Sequence, residues 1–145
     1  MNSILPDVVP DPGSSCSYVL VVDDDQAVLA MTKAILDSVG FTAIGATSGE
    51  LGLQYYQQGV ANQTPFLLVL LDLTLPGGMS GLETLDAIRE FDPKARVIAT
   101  SGYFDDTAVV AQGAKQRGFV GVLPKPYTAE RLMKLVQWGV ERNAA

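Results

Sequence analysis

Short apolar runs alternate along the chain with longer amphipathic segments. Residues 19–22 and 66–71 are continuous apolar runs rich in Val and Leu, a pattern typical of strands buried on both faces of a parallel sheet. The first strand is predicted to end at Asp23 and the third at Asp72, and three further strands are predicted at 42–46, 96–100 and 120–123. Helical spacing predicts helices at 26–39, from Thr47 to about 58, at 82–91, from Asp106 or Thr107 to Gly118, and at 128–142. This alternation indicates a parallel sheet with helices on both faces.

Residue types also predict how the helices end and which way they face. Thr47 and Glu50 have the spacing of a capping box for the second helix, and Thr128 is the expected cap of the last one. Tyr55 and Tyr56, flanked by glutamines, are predicted to lie on an outer face. Inward positions of the first helix are Val28, Leu29, Met31, Ile35 and Leu36. Those of the last helix are Leu132, Leu135, Val136 and Val140.

Carboxylates follow the first and third predicted strands. Asp23, Asp24 and Asp25 come directly after the run 19–22, and Asp72 ends the run 66–71. Clustered carboxylates repel unless a cation or hydrogen-bond donors offset them. The acidic triplet alone fits equally well a solvated helix-capping turn or a Mg2+ site, because Mg2+ prefers oxygen ligands. Asp72 favours the metal, since no helix begins at Asp72 and strand ends of an open parallel sheet converge on one crevice.

The remaining strands are followed by a hydroxyl and a cation. The fourth runs into Thr100, Ser101 and Gly102, and the fifth into Lys125, whose backbone is restricted by a proline on either side. A hydroxyl and an ammonium beside an acidic, metal-binding cleft can together hold a phosphoryl group.

Taken together, these motifs resemble the receiver domains of response regulators in two-component phosphorelay signalling. The resemblance covers residues 18 to about 140 and rests on motifs that each follow a predicted strand, in the expected order. They are Val21-Val22-Asp23-Asp24, Leu71-Asp72-Leu73-Thr74-Leu75-Pro76, Gly81-Leu82-Glu83, Ser101-Gly102-Tyr103 and Lys125-Pro126-Tyr127. It implies an α/β, flavodoxin-like, doubly wound (βα)5 sandwich with strand order 2-1-3-4-5.

The resemblance also implies a chemistry. Asp72 would accept a phosphoryl group from a phosphohistidine of a histidine kinase or histidine phosphotransfer protein, and the chain would catalyse its own phosphorylation and dephosphorylation without being a conventional enzyme. Mg2+ would be held by Asp23, Asp24, Asp72 and the backbone carbonyl of Thr74, with Asp24 the more direct ligand of the first two. Asp25 would instead cap the first helix. Lys125 would pair with Asp72 and then with the phosphoryl oxygens, and Ser101 would move towards them. The aspartyl phosphate would then switch the surface around the helix predicted to begin near Asp106 or Thr107.

Two departures from the family pattern affect these expectations. Many receivers have an aromatic residue three positions before the lysine, where this chain has Val122, so a coupled hydroxyl–aromatic switch is not expected. The loop 76–81 looks one residue longer than the common form and, with Ser101-Gly102-Tyr103, resembles receivers attached to hybrid histidine kinases.

Competing functions fit the residues less well. A phosphatase of the haloacid-dehalogenase type would need an aspartate at position 74, where a threonine stands, and a flavodoxin would need phosphate-binding donors where Asp23 and Asp24 would repel the ligand. A receiver-fold interaction module that is never phosphorylated is the alternative outside catalysis.

Composition narrows location and partners. The 145 residues, 48% hydrophobic, suit one domain at 18–145 preceded by a flexible tail or linker at 1–17. The net charge of −6 disfavours direct nucleic-acid or anionic-membrane binding, so the partners expected are proteins, a second copy of the chain included. A single cysteine cannot form an internal disulfide, which fits a cytoplasmic protein, and the absence of histidine excludes His-dependent catalysis. The chain is compatible with a stand-alone regulator or with a piece of a longer protein.

Overall fold

A five-stranded parallel sheet forms the centre of the molecule, with strand order 2-1-3-4-5. The computed structural model describes residues 17–101 and 118–144. The strands are β1 (Tyr18–Val22), β2 (Thr42–Ala46), β3 (Leu68–Asp72), β4 (Val97–Ser101) and β5 (Gly121–Pro124). The helices in the described part are α1 (Gln26–Ser38), α2 (Gly49–Ala61), α3 (Gly81–Phe91) and α4 (Ala129–Ala144). This is the flavodoxin-like topology that the resemblance implied.

Each face of the sheet is covered by two described helices. Leu20 and Val22 of β1 pack in one apolar cluster with residues of α2 and α3, whereas Val19 and Val21 pack in the other with residues of α1 and α4. Alternate side chains of a strand point to opposite faces, so a strand covered on both sides must be apolar throughout. This explains the continuous apolar runs of β1 and β3.

The register of the sheet brings the carboxyl ends of the strands together. Val22 of β1 is opposite Leu71 of β3, Asp72 is opposite Thr100 of β4, and Ser101 is opposite Pro124 of β5. This pairing also corrects the predicted bounds of two strands. β4 and β5 begin and end one residue later than predicted, because the ladder extends as far as Ser101 and Pro124.

Several local predictions are confirmed. β2 has the predicted bounds, and β3 ends at Asp72 as predicted. Asp25 caps α1 by accepting hydrogen bonds from the N–H groups of Ala27 and Val28, and the Thr128 hydroxyl accepts from Arg131 N at the start of α4. Leu36, Leu132 and Val136 are fully buried, in agreement with the predicted inward faces.

Other predictions are wrong. Ser48, not Thr47, caps α2, and Glu50 does not complete a capping box but accepts a hydrogen bond from Met79 N. Met31 is 41% exposed, because the inward stripe of α1 passes through Thr32 instead. Tyr56 is buried, since it shares the inward face of α2 with Gly52 and Gly59; its ring stacks on Phe66 and its hydroxyl donates to Asp92.

Two predictions fall outside the described residues: the N-terminal tail, apart from Ser17, and the helix starting near Asp106 or Thr107, apart from its predicted end at Gly118. In the described part of the chain, none of the helices has the length and apolar character needed to cross a membrane.

Candidate functional site

Three consecutive carboxylates after β1, those of Asp23, Asp24 and Asp25, lie in different environments. The backbone N–H of Asp23 donates to Ala46 O of β2 at 3.0 Å, so Asp23 is still held against the sheet. The residue is only 2% exposed. Asp23 Oδ1 accepts a hydrogen bond from Asp25 N at 2.9 Å, while Asp25 itself caps α1. Asp24, between them, is left exposed. One strand end thus supplies a buried and an exposed carboxylate side by side.

Asp72 is the last residue of β3 and is fully buried. Its Oδ1 accepts two hydrogen bonds from Thr74, one from the backbone N–H at 2.8 Å and one from the hydroxyl at 2.7 Å. Its Oδ2 accepts a hydrogen bond from Lys125 Nζ at 3.0 Å. Donors on both oxygens offset the cost of burying this carboxylate and hold it in one orientation.

Lys125 connects the two buried carboxylates. Its backbone N–H donates to Ser101 O at 2.7 Å, and the following peptide bond to Pro126 is cis. Its Nζ lies 2.6 Å from Asp23 Oδ2 and 3.0 Å from Asp72 Oδ2. The sequence predicted the contact with Asp72, but not the shorter one with Asp23.

Burial and this bridge shift two pKa values. Burial raises the pKa of Asp23, although the hydrogen bonds from Lys125 and from Asp25 N act in the opposite direction. Burial alone would lower the pKa of Lys125, but its hydrogen bonds and Coulombic attraction to Asp23 and Asp72 prevail, so the pKa is raised. Lys125 is therefore a cation at neutral pH.

The same cluster has the composition of a divalent-metal site. Asp23, Asp24 and Asp72 each offer a carboxylate oxygen, and these oxygens lie within 4.8 Å of one another. Three carboxylates suit a hard cation such as Mg2+, which is usually bound by few protein oxygens and several waters. These residues therefore fit the predicted ion, with Asp24 as the carboxylate open to solvent.

The remaining predicted site residues lie at the same edge or beyond the described residues. Ser101 ends β4 and is 5% exposed, beside the Lys125 backbone. Val122 is half-buried in β5, opposite Ala99. Gly102, Tyr103 and Asp106 fall outside the described residues.

The sequence interpretation missed two hydrogen bonds made by hydroxyl groups at or next to the site. The Thr74 hydroxyl contacts Asp72, and a threonine two residues after an aspartate is the spacing at which such local bonds form, so this signal was available. The hydroxyl oxygens of Thr32 and Tyr127 lie 2.6 Å apart, but 95 positions separate the two residues in the chain, and no local pattern points to the contact.

Comparison with known proteins agrees with this geometry. The family model described as the response regulator receiver domain matches residues 19–137, most of the chain. The chain belongs to the response regulator receiver family. The match includes both acidic strand ends and Lys125, which the receiver fold places at one edge of its sheet.

Individual receivers show moderate similarity to this chain. It is 31% identical over 124 residues to the nitrogen assimilation regulatory protein NtrX of Azorhizobium caulinodans, covering 85% of this chain and 26% of that protein. It is 29% identical to the chemotaxis protein CheY of Bacillus subtilis, covering 81% of this chain and 92% of that protein. A receiver domain structure from Clostridium thermocellum superposes with a TM-score of 0.76 at 27% identity, covering 88% of this chain and 97% of that one.

The relatives differ greatly in length. The chain spans 26%, 21% and 16% of NtrX, a Candida albicans transcription factor named SKN7, and a rice ethylene receptor, respectively. Receiver domains thus occur in these relatives as parts of larger proteins, and attachment of this chain to a hybrid kinase stays a prediction.

Proposed function

We propose that this receiver takes a phosphoryl group on Asp72 from a phosphohistidine of a histidine kinase or histidine phosphotransfer protein, and that the reaction depends on Mg2+. The observation that carries the proposal is the position of Asp72: a buried carboxylate with one oxygen in contact with Lys125 and one oxygen within 4.8 Å of oxygens of Asp23 and Asp24. Phosphoryl transfer to a carboxylate requires a nucleophilic carboxylate, a cation, and further carboxylates that can hold a metal ion, all in one crevice.

In the proposed reaction, an oxygen of Asp72 attacks phosphorus as the phosphorus–nitrogen bond to the donor histidine breaks. The imidazole keeps the electron pair of that bond and takes a proton, and Asp72 becomes an acyl phosphate. Thr74 restrains Asp72 through Oδ1 while Lys125 presents its ammonium to the incoming phosphoryl oxygens. Ser101 would donate its hydroxyl to another of these oxygens. Water later hydrolyses the acyl phosphate and releases inorganic phosphate.

The metal would be held by Asp23, Asp24, Asp72 and the Thr74 carbonyl. When bound, Mg2+ would neutralise negative charge on the phosphoryl group. Because Lys125 contacts both buried carboxylates, the acids and the cation of the site are already assembled before the donor arrives. A cytoplasmic location belongs to the same proposal, in keeping with the single cysteine.

Labelling with a small phosphodonor tests the proposal. Incubation with acetyl phosphate and Mg2+ should add one phosphoryl group to the intact mass, and chelation of Mg2+ should prevent this. Asp72→Asn should abolish labelling, while Asp86→Asn, which neutralises an exposed carboxylate of α3, should be labelled like the parent. Undiminished labelling of Asp72→Asn would overturn the assignment, and absence of labelling in the parent with acetyl phosphate and with a phosphohistidine donor would favour the interaction module that is never phosphorylated.

A further inference from the structure

Tyr127, two residues after Lys125 in the chain, belongs to a buried pair of hydroxyl groups. Thr32 of α1 is fully buried and Tyr127 is 6% exposed, and their hydroxyl oxygens share a hydrogen bond of 2.6 Å. The Tyr127 ring packs in the apolar cluster that contains Leu36 of α1 and Leu132 of α4. The ring therefore has its own packing, and the hydroxyl adds a directed bond to α1.

Lys125 lies in the short connection between β5 and α4, and this connection is held by hydrogen bonds at both of its ends. Lys125 N donates to Ser101 O at 2.7 Å, and Thr128 caps α4 three residues later. Between these two attachments, the Tyr127 side chain is hydrogen-bonded to Thr32 of α1. This bond fixes the connection relative to α1 and complements its attachment to β4.

The helix contacted by Tyr127 also begins at the acidic site. Asp23 lies two residues before the Asp25 cap of α1 and is bonded to Asp25 N. Lys125 must reach Asp23 at 2.6 Å and Asp72 at 3.0 Å at once. The hydrogen bond between Tyr127 and Thr32 of α1 therefore affects the distance between the Lys125 ammonium and the Asp23 carboxylate.

We propose that the Tyr127 hydroxyl, held by Thr32, is a positioning group that sets where the Lys125 ammonium lies between Asp23 and Asp72. In this role Tyr127 and Thr32 would act through Lys125 rather than on the phosphoryl group or the metal. The kinetic effect expected from this positioning role rests on the proposed function, because a displaced Lys125 ammonium slows phosphoryl transfer only if Asp72 is the acceptor. Small displacements of a group that stabilises a transition state cost rate more than they cost binding.

Variants that remove only one hydroxyl test this positioning role. Tyr127→Phe and Thr32→Val should each lower the maximal labelling rate with acetyl phosphate at saturating Mg2+ by about five- to tenfold, with little change in half-saturating donor concentration. The double variant should be no slower than either single variant, because both remove the same bond. Thr32→Ser, which keeps a hydroxyl, should stay within about twofold of the parent.

A matched control separates positioning from general stability. Tyr56→Phe also removes a buried tyrosine hydroxyl bonded at 2.6 Å, here to Asp92 Oδ2 in the link between α2 and the end of α3. It should lose stability like Tyr127→Phe but keep the parent's labelling rate. Parent-like rates in both Tyr127→Phe and Thr32→Val, additive losses in the double variant, or equal slowing by Tyr56→Phe would each overturn the inference.

A measurement without phosphodonor distinguishes this inference from the proposed function. In protein carrying isotope-labelled lysine, the resonance of the Lys125 carbon next to Nζ reports its two ion pairs. It should move in Tyr127→Phe and in Thr32→Val but not in Tyr56→Phe. If the parent is not labelled yet this resonance moves as expected, the proposed function fails and the positioning role stands. An unmoved resonance together with parent-like labelling of both variants rejects the positioning role alone.

Discussion

The aspartate carboxylates of this site differ in how well their negative charge is offset, because their hydrogen-bond partners differ. Asp72 receives hydrogen bonds from Thr74 and Lys125, and Asp23 receives them from Lys125 and from Asp25 N, so burial of either is offset by donors. Asp24 is exposed and adds a third negative charge whose oxygen lies within 4.8 Å of the other two. We therefore expect Asp24 to favour metal binding while opposing folding in the metal-free state.

Asp24→Asn should have opposite effects with and without Mg2+. In chelator, loss of one repulsive charge should raise the melting temperature slightly, by about one degree. In excess Mg2+ the parent should gain more stability than the variant, because a ligand bound by the native state stabilises it according to its affinity. Thermal melts in both conditions, with Asp86→Asn as control, check this. A lower melting temperature in chelator combined with an undiminished Mg2+ effect would contradict it.

Tyr56 should make stability depend on alkaline pH. Burial and the hydrogen bond to Asp92 raise the pKa of Tyr56 above the ordinary value of 10.0, so the unfolded chain releases this proton first as the pH rises. The native state then holds more protons, and the free energy of unfolding decreases through this range.

Tyr56→Phe removes that contribution. Between about pH 9 and pH 11, the parent should lose about 1 kcal/mol more stability than the variant. Urea unfolding at both pH values measures the difference. Equal losses in parent and variant would mean that the Tyr56 proton is not held more tightly in the folded chain.

At the level of elements, local order was predictable and contacts between distant segments were not. The bounds of β2, the end of β3 at Asp72 and the Asp25 cap follow from neighbouring residues alone. Ser48 and Thr47 are adjacent hydroxyl residues, and only the backbone path decides which one reaches Leu51 N. The buried roles of Tyr56 and Thr32 depend on partners 36 and 95 positions away, which periodicity cannot identify.

The same distinction applies to the candidate site. Its acidic and basic residues could be predicted because each lies at or just after the end of a strand, and parallel strands align their carboxyl ends. The bridge from Lys125 to Asp23 depends on how the connection after β5 is held, and the sequence contains no local signal for it.

A glycine fixes the distance between α3 and the site. A Cβ atom at Gly81 would lie 2.5 Å from Asp72 O and 2.7 Å from Leu73 Cα, both backbone atoms that cannot rotate away. Gly81→Ala must therefore shift either α3 or the end of β3, at a cost of about 1–3 kcal/mol. We expect reduced stability together with slower labelling of Asp72.

Gly45→Ala is the matched control for this substitution. A Cβ atom there would meet only the flexible Leu29 side chain, at 3.5 Å or more, so stability and labelling should change little. Chemical denaturation and intact-mass labelling of both variants test the comparison. A Gly81→Ala variant as stable and as readily labelled as Gly45→Ala would show that α3 and the site tolerate a shift.

Across the whole molecule, Lys125 links parts of the sheet that are not adjacent. It follows β5 at one edge, yet its ammonium contacts Asp23 after β1, with β3 and β4 lying between these strands. A phosphoryl group on Asp72 would offer Lys125 and Ser101 new anionic partners. Any conformational change would then be driven by the difference between these contacts and the ones made in the free state.

Ser101 should carry this change to the residues that follow it. Val122 has little rotameric reach, so we expect the response to depend on Ser101 and to appear in residues 102–106 rather than through β5. Ser101→Ala should still accept a phosphoryl group but lose most of the amide shift changes that beryllofluoride, a phosphoryl mimic, causes in residues 102–106 of the parent. Val122→Ala, altered at a half-buried position of the same sheet, should keep them. Amide spectra of both variants with and without beryllofluoride decide the matter, because a parent-like response in Ser101→Ala would show that the hydroxyl does not transmit the signal.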